Sequence, residues 1–174
     1  MTRAVVVGSG PNGLAAAITL ARAGRRVVVH EAAGVFGGGV RSAELTLPGY
    51  AHDVCSAVHP LAVASPCFRD LDLAAHGLAW VHPPSPLAHP FDDGTAAVLE
   101  RTLDATAATL GEDGGAWGRL FAPLVGAWES LVADLLGRFG MPRHPLAMAR
   151  FGVAAIRSAT ALATATFRGP RARG

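Results

Sequence analysis

Near its N-terminus the chain reads Ala4-Val5-Val6-Val7-Gly8-Ser9-Gly10-Pro11-Asn12-Gly13, and the class of fold follows from these ten residues. The apolar, β-branched run at 4–8 ends in glycine and reads as a strand buried on both faces. Residues 11–23 read as a helix: Pro11 suits a first turn, where its missing N–H costs nothing, and Leu14, Ala17, Ile18 and Ala21 recur at helical spacing until Gly24 stops them. Arg26-Val-Val-Val-His-Glu31 is a second buried strand. Two such strands around one helix make a parallel βαβ unit, which predicts an α/β fold of Rossmann-like, dinucleotide-binding type.

The chemistry lies in the turn. Gly8 permits the tight bend, Gly10 lets a pyrophosphate approach the backbone, and Gly13 lets the helix pack close on the strand. Pro11 and Asn12 open the helix, whose N-terminus offers unpaired N–H groups and partial positive charge to phosphates. Glu31 ends the second strand, where a carboxylate can accept hydrogen bonds from a ribose diol and would repel a 2′-phosphate. This motif alone does not separate NAD from FAD. In a simple NAD-binding unit a helix would come next. Here Gly37-Gly38-Gly39-Val40-Arg41-Ser42 follows, which brings a second glycine segment and a fixed cation towards the same ligand.

Beyond residue 42 the strand-like pieces are short and broken by Pro48, Gly49 and Pro60. A short helix starts at Ser65-Pro66, 78–82 reads as a strand, and 83–94 is loop-rich with an Asp92-Asp93-Gly94 turn. The remainder is helical. A helix over 100–110 ends at Gly111. The strongest periodicity runs from Trp117 through Leu120, Phe121, Leu124, Trp128, Leu131 and Val132 to Leu136, predicting one helix over 117–136 with both tryptophans in a core or interface. Residues 146–167 read as a last helix, followed by an Arg/Gly-rich tail at 168–174. The expected organisation is a Rossmann-like part over 1–60, a mostly helical partial substrate or cap region over 61–167, and that tail.

Composition narrows the function classes. Of 174 residues, 51% are apolar and 16% charged, which excludes general disorder. Every basic residue is Arg. Residues 1–134 hold 8 Arg against 13 acids, a balance of −5, whereas 135–174 hold 7 Arg and no acid. Arginines without interleaved aromatics argue against nucleic acid. An amphipathic helix at 146–167, with Arg150 and Arg157, offers peripheral contact with an anionic membrane, and a packed helix face is the alternative. Cys55 and Cys67 form no CxxC pair and are expected to be buried, reduced thiols. Histidine spacing gives no metal site. No charged and apolar leader precedes Ala4, so the expected location is cytoplasmic.

The motifs Gly-Ser-Gly-Pro-Asn-Gly-Leu at 8–14, His-Glu-Ala at 30–32, Gly-Gly-x-x-Arg-Ser at 37–42 and Pro-Gly-Tyr-x-His-Asp-Val-Cys-Ser-Ala at 48–57 resemble the N-terminus of FAD-dependent, phytoene-dehydrogenase-like oxidoreductases. Within that group the likeness is to the branch named pyridine nucleotide-disulfide oxidoreductase domain-containing proteins. His-Pro-Leu at 59–61 and Pro-Leu-Ala-His-Pro at 86–90 extend it more weakly. The resemblance implies a non-covalent FAD. Gly8, Gly10 and Gly13 would face the pyrophosphate, Glu31 the adenosine ribose, Gly37, Gly38 and Arg41 the phosphate–ribitol side, and Asp53 and Ser56 the flavin. It implies hydride transfer between the flavin and a carbon–carbon bond of an apolar small molecule, and it nominates no catalytic residue.

Members of that group are much longer, so the chain reads as the N-terminal portion of such an enzyme: a truncated or frameshifted product, or half of a split gene. Alone it is expected to retain FAD weakly or not at all, to be inactive, and to self-associate, favoured by an unpaired sheet edge and the broad apolar stripe at Trp117–Leu136. The rival readings are a fragment of an NAD-dependent dehydrogenase and a catalytically inactive interaction fragment.

Overall fold

The computed structural model describes residues 2–137 and 140–173. Met1 of the expected first part, Arg138 and Phe139 of the helical part, and Gly174 of the tail lie outside the described residues. The chain divides into two compact units, 1–71 and 72–174.

The first unit is the α/β part. β1 (Arg3–Val7), α1 (Pro11–Arg22) and β2 (Arg26–His30) form the expected βαβ unit, with β1 and β2 parallel, Arg3 opposite Arg26 and Val7 opposite His30. α1 packs on this pair and buries Ala17. The expectation that both strands are buried on two faces fails: Val5 is 56% and Val7 84% exposed. Among the described residues this sheet has two strands only, so the face away from α1 lacks a covering layer. A 3-10 turn at Gly38–Val40 leads into an antiparallel pair, β3 (Ser42–Glu44) and β4 (Ala51–Asp53). The short helices α2 (Pro60–Ala64) and α3 (Pro66–Arg69) follow, with Ser65 Oγ accepting the Phe68 N–H at the start of α3. Ala64 and Leu71 are buried. Cys55 and Cys67 are both free and exposed rather than buried, because the short segments that carry them enclose little core.

The second unit opens with a 3-10 turn at Leu73–His76. No strand forms over 78–82. A hairpin of β5 (Leu87–Pro90) and β6 (Ala96–Leu99) forms instead, inside and just beyond the stretch read as loop. The Asp92-Asp93-Gly94 turn closes it: Gly94 N–H donates to Phe91 O, and Asp93 Oδ1 accepts from the Thr95 N–H and hydroxyl. α4 (Leu103–Thr109) is capped by Thr102 Oγ1. A 3-10 turn at Gly111–Asp113 then leads into α5 (Gly114–Gly126) and α6 (Trp128–Leu135).

The single helix expected over 117–136 is thus two. Pro123 inside α5 removes one backbone donor, and Ala127 leaves helical geometry. Trp128 consequently ends 42% exposed, while Trp117 packs 4.2 Å from Phe121 and 6.2 Å from Phe167 between ring centroids. The helix expected over 146–167 is also two, α7 (Pro145–Ala155) and α8 (Ala159–Thr166), bent by 93°. Ser158 Oγ accepts the Ala161 N–H and restarts the chain as α8. The tail forms a short turn, α9 (Pro170–Arg173). Among the described residues, Leu110, Leu131, Val132 and Phe167 are the buried apolar residues of this unit.

Candidate functional site

The βαβ turn is built as the glycine spacing requires. Gly8 has φ +93°, and its N–H donates 2.7 Å to His30 O, tying the end of β1 to the end of β2. A side chain at Gly13 would collide with the Gly8 carbonyl, so the first turn of α1 lies directly against the strand end. Gly10 is the N-cap of α1. No side chain caps this terminus and no acidic residue sits in its first turn. The Asn12 and Gly13 N–H groups have no intrahelical acceptor at this depth of a helix and point out of its end. Uncapped donors, with no carboxylate in the turn to oppose an anion, fit a pyrophosphate.

The second glycine segment is folded back onto the first. Gly37 N–H donates to Ser9 O at 3.1 Å and lies 3.3 Å from Ser9 Oγ. Gly38 has φ +58°, and a Cβ there would stand 2.9 Å from Gly10 Cα. Backbone therefore meets backbone at Gly10 and Gly38, with room for no side chain at Gly38. Arg41 curls over this junction, its Nη1 3.4 Å from Gly38 O, and is half-buried. The junction is a glycine-walled cradle with a guanidinium beside it, a donor set suited to a diphosphate.

Ser9, absent from the candidate residues, is the hub of the site. It is 3% exposed. Its N–H and its hydroxyl donate to Glu31 Oε2 at 2.8 and 2.6 Å, while its own oxygens face the Gly37 N–H. Glu31 Oε1 accepts the Ala33 N–H at 2.9 Å. The N–H groups of Ala33 and Ser9 and the Ser9 hydroxyl lower the Glu31 pKa from 4.5 to about 2. Glu31 is therefore a carboxylate through the whole neutral range. It is also exposed, and a carboxylate has about four acceptor positions, so it can still receive a ribose hydroxyl. The one available signal for Ser9 was a short hydroxyl residue between two glycines whose neighbours must all be backbone.

Ser56 reaches the same segment: its N–H donates 2.8 Å to Gly39 O, and its Oγ lies 3.4 Å from His59 Nδ1. Asp53 sits one step away on β4. Its Oδ1 accepts from Ser42 Oγ at 3.2 Å beside Arg41, whose carbonyl takes the Val54 N–H. Pro11 and Asn12 stand at the first turn of α1, Pro11 half-buried and Asn12 exposed. Among the described residues no group of three or more His, Cys, Asp or Glu could hold a metal ion.

Two comparisons with known proteins bear on this geometry. The chain is 30% identical over 106 residues to a limonene dehydrogenase subunit of Castellaniella defragrans, an alignment covering 61% of this chain and 19% of that protein. The chain thus spans about a fifth of the length of the curated relative it matches. Residues 6–72 match the family described as NAD(P)-binding Rossmann-like domain. That segment includes the glycine turn, α1, β2, Glu31 and the second glycine segment, and with the parallel β1–β2 pair it gives this part of the chain a Rossmann-like α/β fold similar to that of NAD(P)-binding domains.

Proposed function

We propose that the chain is the dinucleotide-binding portion of an FAD-dependent oxidoreductase of the phytoene-dehydrogenase-like kind. The observation that carries this reading is the junction of Gly37 and Gly38 with Ser9 and Gly10, overhung by Arg41. It supplies a second backbone wall and a cation at the pyrophosphate, where a plain NAD-binding unit relies on the first loop. Gly8, Gly10, Pro11, Asn12 and Gly13 would hold the pyrophosphate, Glu31 the adenosine ribose, and Gly37, Gly38 and Arg41 the ribitol side. Asp53 and Ser56 would lie towards the flavin. When bound, the flavin supplies hydride transfer to or from a carbon–carbon bond, and the chain's own residues bind and orient. The name of the similar limonene dehydrogenase protein supports an apolar hydrocarbon as the substrate class.

The test is calorimetric titration of the protein with ADP, FAD, NAD and NADP. ADP should bind, FAD should bind little more tightly than ADP because the chain supplies only the adenosine and pyrophosphate end of the site, NADP should bind least because the Glu31 carboxylate opposes a 2′-phosphate, and Arg41→Ala should weaken both ADP and FAD. Retention of NAD with no affinity for FAD would favour an NAD-dependent dehydrogenase. Binding of neither would favour an inactive interaction fragment.

A further inference from the structure

α7 has two distinct faces. At about 100° per residue, Ala147, Met148, Phe151 and Ala154 fall on the side that is half-buried, and α7 packs there against α6. Leu146, Arg150 and Val153 fall on a second side, roughly 130° round the helix, and are exposed, Leu146 at 87% and Val153 at 72%. Ile156 and Arg157 extend that side just past the helix end, Ile156 at 88%, and Met141 before the helix is 93% exposed. Single exposed apolar residues are ordinary. Four within sixteen positions, interleaved with Arg143, Arg150 and Arg157, form a ridge. Position 134 holds the last acid of the chain, and Arg150 and Arg157 have no carboxylate partner among the described residues; Arg157 Nη2 reaches only the Ala161 carbonyl, at 3.4 Å.

The ridge is also held in place. Asp134 on α6 accepts the N–H groups of Arg143 and His144 at 3.0 and 2.9 Å, directly before the first turn of α7. The 93° bend into α8 keeps this apolar stretch from forming one long rod, and no single helix among the described residues is long and apolar enough to cross a membrane.

Apolar side chains that project outward between unpaired arginines match a surface that is apolar beneath an anionic layer. A second copy of the chain fits badly, because two-fold pairing through this ridge sets arginine against arginine. From this face we infer that residues 141–157 dock on an anionic lipid bilayer, lying in its interface without spanning it. The inference does not depend on the dinucleotide reading, since it uses other residues and another readout.

Co-sedimentation of the protein with vesicles tests it, using phosphatidylcholine alone and equal parts phosphatidylcholine and phosphatidylglycerol. Binding to the anionic vesicles should be clear at low salt, weak at high salt and small for the neutral vesicles. Arg150→Gln with Arg157→Gln should lower anionic-vesicle binding about thirtyfold. Leu146→Glu with Val153→Glu should abolish it with an unchanged circular dichroism spectrum, because both side chains are exposed. Absence of binding to anionic vesicles, equal binding to both compositions, or full binding by the glutamate variant would overturn the proposal. So would lipid-independent dimers that the glutamate variant disperses, since the ridge would then be a protein interface.

Discussion

The glycine turn of the first unit and the helical packing of the second are held by opposite means. In the turn, order comes from backbone meeting backbone: Gly13 against the Gly8 carbonyl, Gly38 against Gly10, and Ser9 joined to both Glu31 and Gly37. Apolar burial there is slight, with Val7 84% exposed. In the helical unit, Leu110, Leu131, Val132 and Phe167 are buried, and order comes from side chains leaving water. Both units nevertheless use one device, a carboxylate that gathers distant backbone N–H groups. Glu31 takes Ser9 from 22 residues away, and Asp113 takes Arg168 and Gly169 from 55 and 56 residues away at 2.8 and 2.7 Å. A ligand-binding turn must leave space and free donors, so it cannot fill itself with side chains; a packed helical unit has no such constraint.

This contrast can be broken by substitution. Leu131→Ala should cost the helical unit about 2–5 kcal/mol, the range for truncating a fully buried leucine, read from urea unfolding followed by tryptophan fluorescence. A loss below about 1 kcal/mol would mean that burial does not hold this unit.

Gly13→Ala adds one methyl group and should cost roughly 1–3 kcal/mol through overpacking against the Gly8 carbonyl, with loss of ADP affinity measured by calorimetry. Unchanged stability and affinity would show that α1 is free to move off the strand end.

Glu31→Gln probes the carboxylate network. The Glu31 pKa is lowered from 4.5 to about 2. The unfolded chain therefore binds the proton more readily, and this group's contribution is complete above pH 4.5 and fades as pH falls towards 2. The difference in urea midpoint between wild type and Glu31→Gln should be largest at neutral pH and should narrow across that window. A difference independent of pH would remove the charge from the account.

The smallest change expected is for Ser158→Ala, about 1 kcal/mol for loss of the α8 cap, measured as a shift in thermal midpoint.

The βαβ unit was legible because its signals are local: β-branched runs, glycines at fixed spacing, a proline in the first turn. The candidate residues Gly8, Gly10, Gly13 and Glu31 stand on consecutive parts of it, and Gly37, Gly38 and Arg41 return to it. The exposure of β1 and β2 was not legible, since an apolar run states what could be buried and only the number of neighbouring strands states what is. The break at Ala127 was obscured by a periodicity that continues across it. The β5–β6 hairpin was hidden because Pro90 and three nearby prolines read as loop, although an antiparallel pair tolerates proline at its end.

What the amino-acid sequence determined by itself is the class of fold, the phosphate-ready turn and the charge imbalance between residues 1–134 and 135–174, because each rests on residue type and short spacing. The tertiary structure alone decided that Ser9 joins Glu31 to Gly37, that Gly38 closes on Gly10, that Asp113 pins the arginine-rich tail, and that the apolar side chains of α7 divide between α6 and the surface. Each of these depends on which distant backbone groups come within hydrogen-bonding or contact distance, and local preference does not encode that.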